Sequence, residues 1–173
     1  MNFGQMRDAF LSYTGVVDPL DNAELAFWFN EAQLDLAWEL APVESYEMAG
    51  ARGTVFTPPD DWLVIIGGSK QYRVTGGGDI VLEEDGPCEL YYRKIPEDFS
   101  GLNDEQTTVL HLGLHYLLPI FAAARYWEKE AEGDGEELNQ ASRWLSYYYQ
   151  GKSLAKSRLF GINEPIDVWQ IRR

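Results

Sequence analysis

With 173 residues, 45% of them hydrophobic and 14% aromatic, the chain has enough apolar mass to bury a substantial core and too much to be disordered. A net charge of −14 excludes a protein that wraps nucleic acid by neutralising its backbone, which needs clustered Lys and Arg. A single cysteine, Cys88, excludes an internal disulfide framework and fits a reducing cytoplasm. MNFGQMRDAF lacks the basic start and apolar run of a signal peptide, and no run is long enough to span a bilayer, so a soluble, non-exported protein with no membrane partner is expected. The charge is uneven: residues 1–137 carry 26 acids against 8 bases, and residues 138–173 carry 2 acids against 6 bases. An acidic body with a modestly basic end points to two surfaces with different partners.

In chain order, residues 3–13 read as a first helix, ended near Gly15. DPLDNAE then carries start signals, with Asp18 before Pro19 and Asp21 three residues before Glu24, for a helix over 20–41 that Pro42 stops. That helix has two apolar stripes. Leu25, Trp28, Phe29, Ala32, Leu36 and Leu40 form one, and Phe27, Leu34 and Trp38 form another. One stripe suffices for a helix on the outside of a monomer, so two imply burial on both sides, within the fold or against a neighbouring copy.

Between 45 and 95 the period changes to that of strands. TVF, WLVII, QYRVT, DIVLEE and CELYYRK are separated by turn residues at PPDD, GGSK, GGG and DGP, which predicts antiparallel hairpins and a small sheet. Asn103 and Gln106 then read as the cap of a helix over 103–132, and an acidic loop leads to a last helix over 136–158. These two helices are expected to form an antiparallel hairpin. Residues 160–173 read as an extended tail. The expected fold class is α+β, mainly helical, with residues 1–159 as a single domain.

The only histidines, His111 and His115, stand four residues apart, a spacing that places two zinc ligands on one helix face. A catalytic zinc helix needs a glutamate beside the first histidine, and Leu112 stands there; Asp104 is the one further ligand on that face. Pro119 removes the hydrogen bond to the His115 carbonyl and predicts a kink, where a histidine satisfies polar groups. The structural role is preferred. IIGGSKQY ends like a phosphate-binding loop, but Trp62 occupies the place of its first glycine and a strand, not a helix, follows. Cys88 reads as a small core filler, and the acidic pairs (Asp60 and Asp61, Glu83 to Asp85, Glu97 and Asp98) fall in polar turns without the burial that tunes a catalytic carboxylate. No catalytic residue, metal or cofactor is expected.

Taken in order, several segments resemble one family. FNEAQLDLAWEL is similar to the Asn-Glu-Ala-Gln helix of tailed-bacteriophage head-to-tail adaptor (connector) proteins, and TPPDDWLVII to the proline-aspartate approach to their first long strand. QYRVTGGGDIVL and CELYYRKIPEDFSGLNDE resemble the hairpin, the tyrosine strand and the proline-containing exit. FAAARYWEKEAEGDGEELNQASRWLSYYYQ resembles the closing helical hairpin. The likeness covers roughly residues 5–160, and it rests on the order and spacing of the pieces. Pro119 and the tail from Phe160 to Arg173 depart from the pattern.

The resemblance implies a virion structural protein made in the host cytoplasm and located in the neck. Such proteins form a ring, commonly of twelve copies, under the portal. The ring extends the channel through which double-stranded DNA passes without sequence-specific binding, and it offers a platform to the next neck or tail protein. Phe27, Trp28, Leu34 and Trp38 are then expected at the ring interface. Arg158, Phe160, Ile166, Val168, Trp169, Ile171, Arg172 and Arg173 are expected to dock on the portal, the competing reading being a strap folded back on its own subunit. The alternatives are another neck protein (a stopper or tail-completion factor), a metal-dependent hydrolase using His111, His115 and Asp104, and a binding module using Trp62 and Tyr72 on carbohydrate.

Overall fold

A computed structural model describes residues 1–16, 20–131 and 135–160, the last through its backbone. Helix α1, Phe3–Thr14, starts where Asn2 and Gln5 cap each other reciprocally and ends on Gly15, whose φ of 70° only glycine adopts without strain. Phe3, Met6 and Phe10, spaced three and four apart, supply its buried face. Helix α2, Asn22–Leu40, begins where the Asp21 carboxylate accepts the Ala23 N–H at 3.0 Å and stops two residues before Pro42. The start signal expected at Asp18 and Pro19 lies outside the described residues.

Helices α3, Leu117–Glu130, and α4, Gly135–Phe160, pack antiparallel: Phe121 stacks edge-on to Tyr148 at 5.0 Å while Gly151 lies against Leu117. With α1, α2 and the segment from Pro96 they form one compact unit. Its core joins Phe3, Phe10, Phe29, Leu36, Leu114, Leu117 and Tyr148, all fully buried.

The helix expected over 103–132 is corrected. Residues 103–111 are not helical: the Phe3 N–H donates to the Gln106 carbonyl at 2.8 Å, the Gly4 N–H to the Asp104 carbonyl at 3.0 Å, and Asn2 bridges Thr107. These bonds hold the segment against the start of α1, so Asn103 and Gln106 make a turn rather than a cap. One 3-10 turn, Leu112–Leu114, follows, and α3 starts only at Leu117. Pro119 therefore sits in the first helical turn, where its missing N–H has no helical partner to lose, and the expected kink gives way to a helix start.

The second unit, Ala41–Ile95, holds two antiparallel three-stranded sheets. One runs β1 (Val43–Gly50), β6 (Gly86–Lys94), β3 (Trp62–Gly68); the other runs β2 (Val55–Phe56), β5 (Ile80–Leu82), β4 (Tyr72–Val74). Met48, Ile80, Leu82, Cys88 and Leu90 fill the space they enclose, so Cys88 is a core residue. The TGGGD segment is the expected hairpin turn, closed by the Thr75 N–H on the Asp79 carbonyl at 2.8 Å, with Gly78 at φ 91°. Within the 1–159 anticipated as one domain, two compact units are distinguished, the β unit being inserted between α2 and the segment from Pro96. The fold is α+β and mainly helical, as expected. No helix among the described residues is long and apolar enough to cross a membrane.

Candidate interaction surface

Helix α2 carries four carboxylates and no base, and each carboxylate meets a cation from the α3–α4 hairpin. Lys129 reaches Glu24 at 2.7 Å, Arg125 reaches Glu31 at 3.0 Å, Lys152 lies 2.9 Å from Asp35, and Lys156 lies 2.6 Å from Glu39. Lys152 also lies 3.2 Å from Glu39, and its side chain is 13% exposed. Burial works against the Lys152 charge, but the hydrogen bonds and attraction of Asp35 and Glu39 hold its ammonium above the usual lysine value. The hydrogen bond from Lys156, helped by Lys152 and opposed by partial burial, holds Glu39 below the usual carboxylate value. Burial and the bond to Asp35 push the Tyr148 phenol far above its ordinary range.

With those sides of α2 engaged, its remaining face carries Phe27, Leu34 and Trp38, which are 62%, 41% and 50% exposed. Trp28, expected with them, does not join them. It is buried 6.3 Å from the ring of Phe10, so its burial is satisfied inside the subunit. The Asn-Glu-Ala-Gln segment of this helix proves to be a clamp. The Asn30 amide donates to the Phe99 carbonyl at 3.1 Å and accepts the Phe99 N–H at 2.8 Å, while Gln33 donates to the Glu97 carbonyl at 2.9 Å. Glu31 takes Arg125, and the Ala32 carbonyl accepts the Tyr148 hydroxyl.

The outward face of α4 gave no signal in the apolar pattern because it is neither apolar nor charged. Ser146, Gln150, Ser153 and Ser157, flanked by Tyr149 and Leu154, line a shallow groove of about 590 Å³ along it. The regular spacing of small residues was the trace left in the sequence. Nearer the helix end, His111, Gly113, Leu114, Tyr116, Leu154 and Arg158 surround a cleft of about 230 Å³. Arg158 is the one member of the expected portal-docking set whose side chain the structure describes. The Phe160 side chain and Ile166, Val168, Trp169, Ile171, Arg172 and Arg173 lie outside the described residues.

The hydrolase constellation is not brought together. His115 is buried, with Nε2 donating to the Leu110 carbonyl at 2.9 Å and Nδ1 2.8 Å from the Met1 amino group. His111 caps the 3-10 turn by accepting the Gly113 N–H at 3.1 Å. Asp104 forms a two-pronged pair with Arg7. Among the described residues no three His, Cys, Asp or Glu side chains gather as a metal site needs. Trp62 and Tyr72 fall on strands of different sheets, β3 and β4, and Tyr72 packs on the β core, where burial raises its phenol above the usual value. Asp61 is held by Lys94 at 3.4 Å, and Glu83 by Arg73 at 3.1 Å, which accounts for these acids as ion-pair partners in the β unit. No family model and no curated protein matches the chain.

Proposed function

We infer that this protein is a head-to-tail adaptor of a tailed bacteriophage: a structural protein that forms a ring under the portal, extends the DNA channel and joins capsid to tail. The observation that carries this reading is the second face of α2. The helix buries one side in its own unit and still exposes Phe27, Leu34 and Trp38 on another, an arrangement that a neighbouring copy relieves. The ordered resemblance of residues 5–160 to the family supports the same reading. The net charge of −14 suits a channel wall past which DNA slides, since carboxylates repel phosphates. A mainly helical fold also favours an adaptor over a strand-rich stopper.

Mass photometry tests the role. The protein is weighed alone and mixed with the portal ring of the same genome, with and without residues 160–173. The expected result is a discrete complex with about one copy per portal subunit, lost on truncation. A monomer in isolation agrees with a ring templated by the portal. Absence of binding to an intact portal ring by the full chain overturns the role.

A further inference from the structure

The last two turns of α4 and the 3-10 turn together line the cleft of about 230 Å³. Leu114, fully buried, lies at its base, and Tyr116, Leu154, Ala155 and Leu159 supply apolar walls. At about 30 Å³ per water the space holds roughly eight waters, too few for a drug-sized ligand and enough for one of about ten non-hydrogen atoms. Water against such walls has few polar partners, so an apolar group that displaces it is favoured.

Two side chains break the apolar lining, and both are donors. His111 Nδ1 accepts the Gly113 N–H at 3.1 Å, which places the proton of the neutral ring on Nε2 and makes that nitrogen a donor. Arg158 brings a guanidinium, whose fork of N–H groups matches a carboxylate. The other cations of this stretch of α4 are engaged: Lys152 on Asp35, Lys156 on Glu39, and Arg143 on the Tyr147 hydroxyl at 2.9 Å. Arg158 makes no ion pair among the described residues, and no acid lines the cleft. A phosphate would meet the two donors but give the leucine walls nothing to cover them. An anionic group joined to an apolar body satisfies both.

From this arrangement we propose that the cleft binds a small monocarboxylate with an aromatic or branched apolar body. The carboxylate accepts from the Arg158 guanidinium and from His111 Nε2–H, while the body lies against Leu114, Leu154 and Leu159. Apolar surroundings strengthen the ionic contact relative to open water. Every lining residue belongs to the helical unit of one copy, so the site depends on neither a ring nor a portal.

The test is proton NMR of the full-length protein titrated with 3-phenylpropionate at fixed pH. The chain has only two histidines, and buried His115, with both ring nitrogens engaged, serves as the internal reference. A saturable shift of the His111 ring signals is expected, with a dissociation constant on the order of 0.1–1 mM and His115 unmoved. The neutral isostere 3-phenylpropanamide should bind about tenfold more weakly, because it lacks the charge-assisted contact. Arg158→Gln, at an exposed position, should weaken 3-phenylpropionate about tenfold with an unchanged circular dichroism spectrum. Ala155→Leu fills the cleft, keeps both donors and should abolish the shift. No saturable shift of His111, or equal shifts of both histidines, overturns the site. Equal binding of acid and amide, or unchanged affinity in Arg158→Gln, overturns the carboxylate assignment. Portal binding enters none of these readouts, so their failure leaves the adaptor role standing, and its failure leaves the cleft.

Discussion

The Tyr148 hydroxyl donates to Asp35 across 2.6 Å, tying the middle of α4 to α2 from within the core. Lys152, one turn further along α4, lies 2.9 Å from the same carboxylate oxygen. A half-exposed carboxylate thus receives a neutral and a charged donor from one helix, and the two together fix the rotation of α4 against α2. Tyr148→Phe keeps the buried ring and removes only the hydroxyl. Urea denaturation should show a loss of about 1–2 kcal/mol, as for a hydrogen bond to a charged acceptor that water and Lys152 still serve. No change in midpoint would mean that the bond does not hold α4.

The same cluster sets a pH dependence. The folded-state values of Tyr148 and Lys152 are raised above their ordinary 10.0 and 10.5. Their contribution is therefore complete below about pH 10 and is lost as pH rises through the folded values. Glu39 has the opposite sign. Its folded value is lowered from 4.5, so its contribution is present above that pH and declines as pH falls through the folded value. Melting temperatures recorded across pH 6 to 11 should fall above pH 10, and the slope should be shallower in Tyr148→Phe. An identical slope in both proteins would remove Tyr148 as the cause.

Gly151 lies in the interior of α4, where glycine costs about 1 kcal/mol relative to alanine. A Cβ there would collide with the end of the Leu117 side chain and come within 3.0 Å of the Tyr116 hydroxyl, and Leu117 is fully buried. Overpacking of this kind costs about 1–3 kcal/mol, so steric cost exceeds helix propensity. Gly151→Ala is expected to lower stability by up to about 2 kcal/mol in chemical denaturation, the steric cost less the helix propensity gained. A more stable Gly151→Ala protein would show that the helices separate freely.

Asn30 is both donor and acceptor to the Phe99 backbone, a pairing that only an amide provides. Asn30→Asp keeps the acceptor, deletes the donor and sets a carboxylate against the Phe99 carbonyl. A loss of about 2 kcal/mol is expected, accompanied by faster amide exchange at Phe99. Unchanged exchange there would show that the clamp is not closed by Asn30.

The engagement of both His115 nitrogens predicts that zinc does not stabilise the protein. A tenfold excess of zinc should leave the melting temperature within about 1 °C, where a specific site would raise it by mass action. His115→Ala should cost about 1–3 kcal/mol by leaving the Leu110 carbonyl without its donor. A clear zinc-dependent rise, abolished in His115→Ala, would revive the hydrolase reading.

What could be read from the sequence follows how local its causes are. Helix α1, helix α2 and the hairpin follow from caps and spacing within a few turns, and the second stripe of α2 was visible as Phe27, Leu34 and Trp38. Residues 103–111 could not be read, because the bonds that keep them from helix come from Phe3 and Gly4, about a hundred positions away. Strand β1 was hidden for a related reason. Only Tyr46 and Met48 alternate inward among Glu44, Ser45 and Glu47, and its partner is β6, with Met48 opposite Cys88. The helical wheel sets Trp28 in the stripe with Leu25 and Phe29, apart from Phe27, Leu34 and Trp38, and its burial beside Phe10 fits that stripe. The α4 groove carried no apolar signal at all.

The insertion of the β unit has a practical corollary. Its first and last strands, β1 and β6, are hydrogen-bonded neighbours, with Val43 paired to Arg93. The chain thus leaves and rejoins the helical unit through two adjacent strands, whose paired α-carbons lie about 5 Å apart. Such a junction works as a cassette port: a hairpin, a short Gly-Ser bridge or a foreign domain with close termini can replace residues 41–95 without asking the helices to span a new distance. Deletion of the cassette with a six-residue bridge, followed by circular dichroism, shows directly whether the helical unit stands alone.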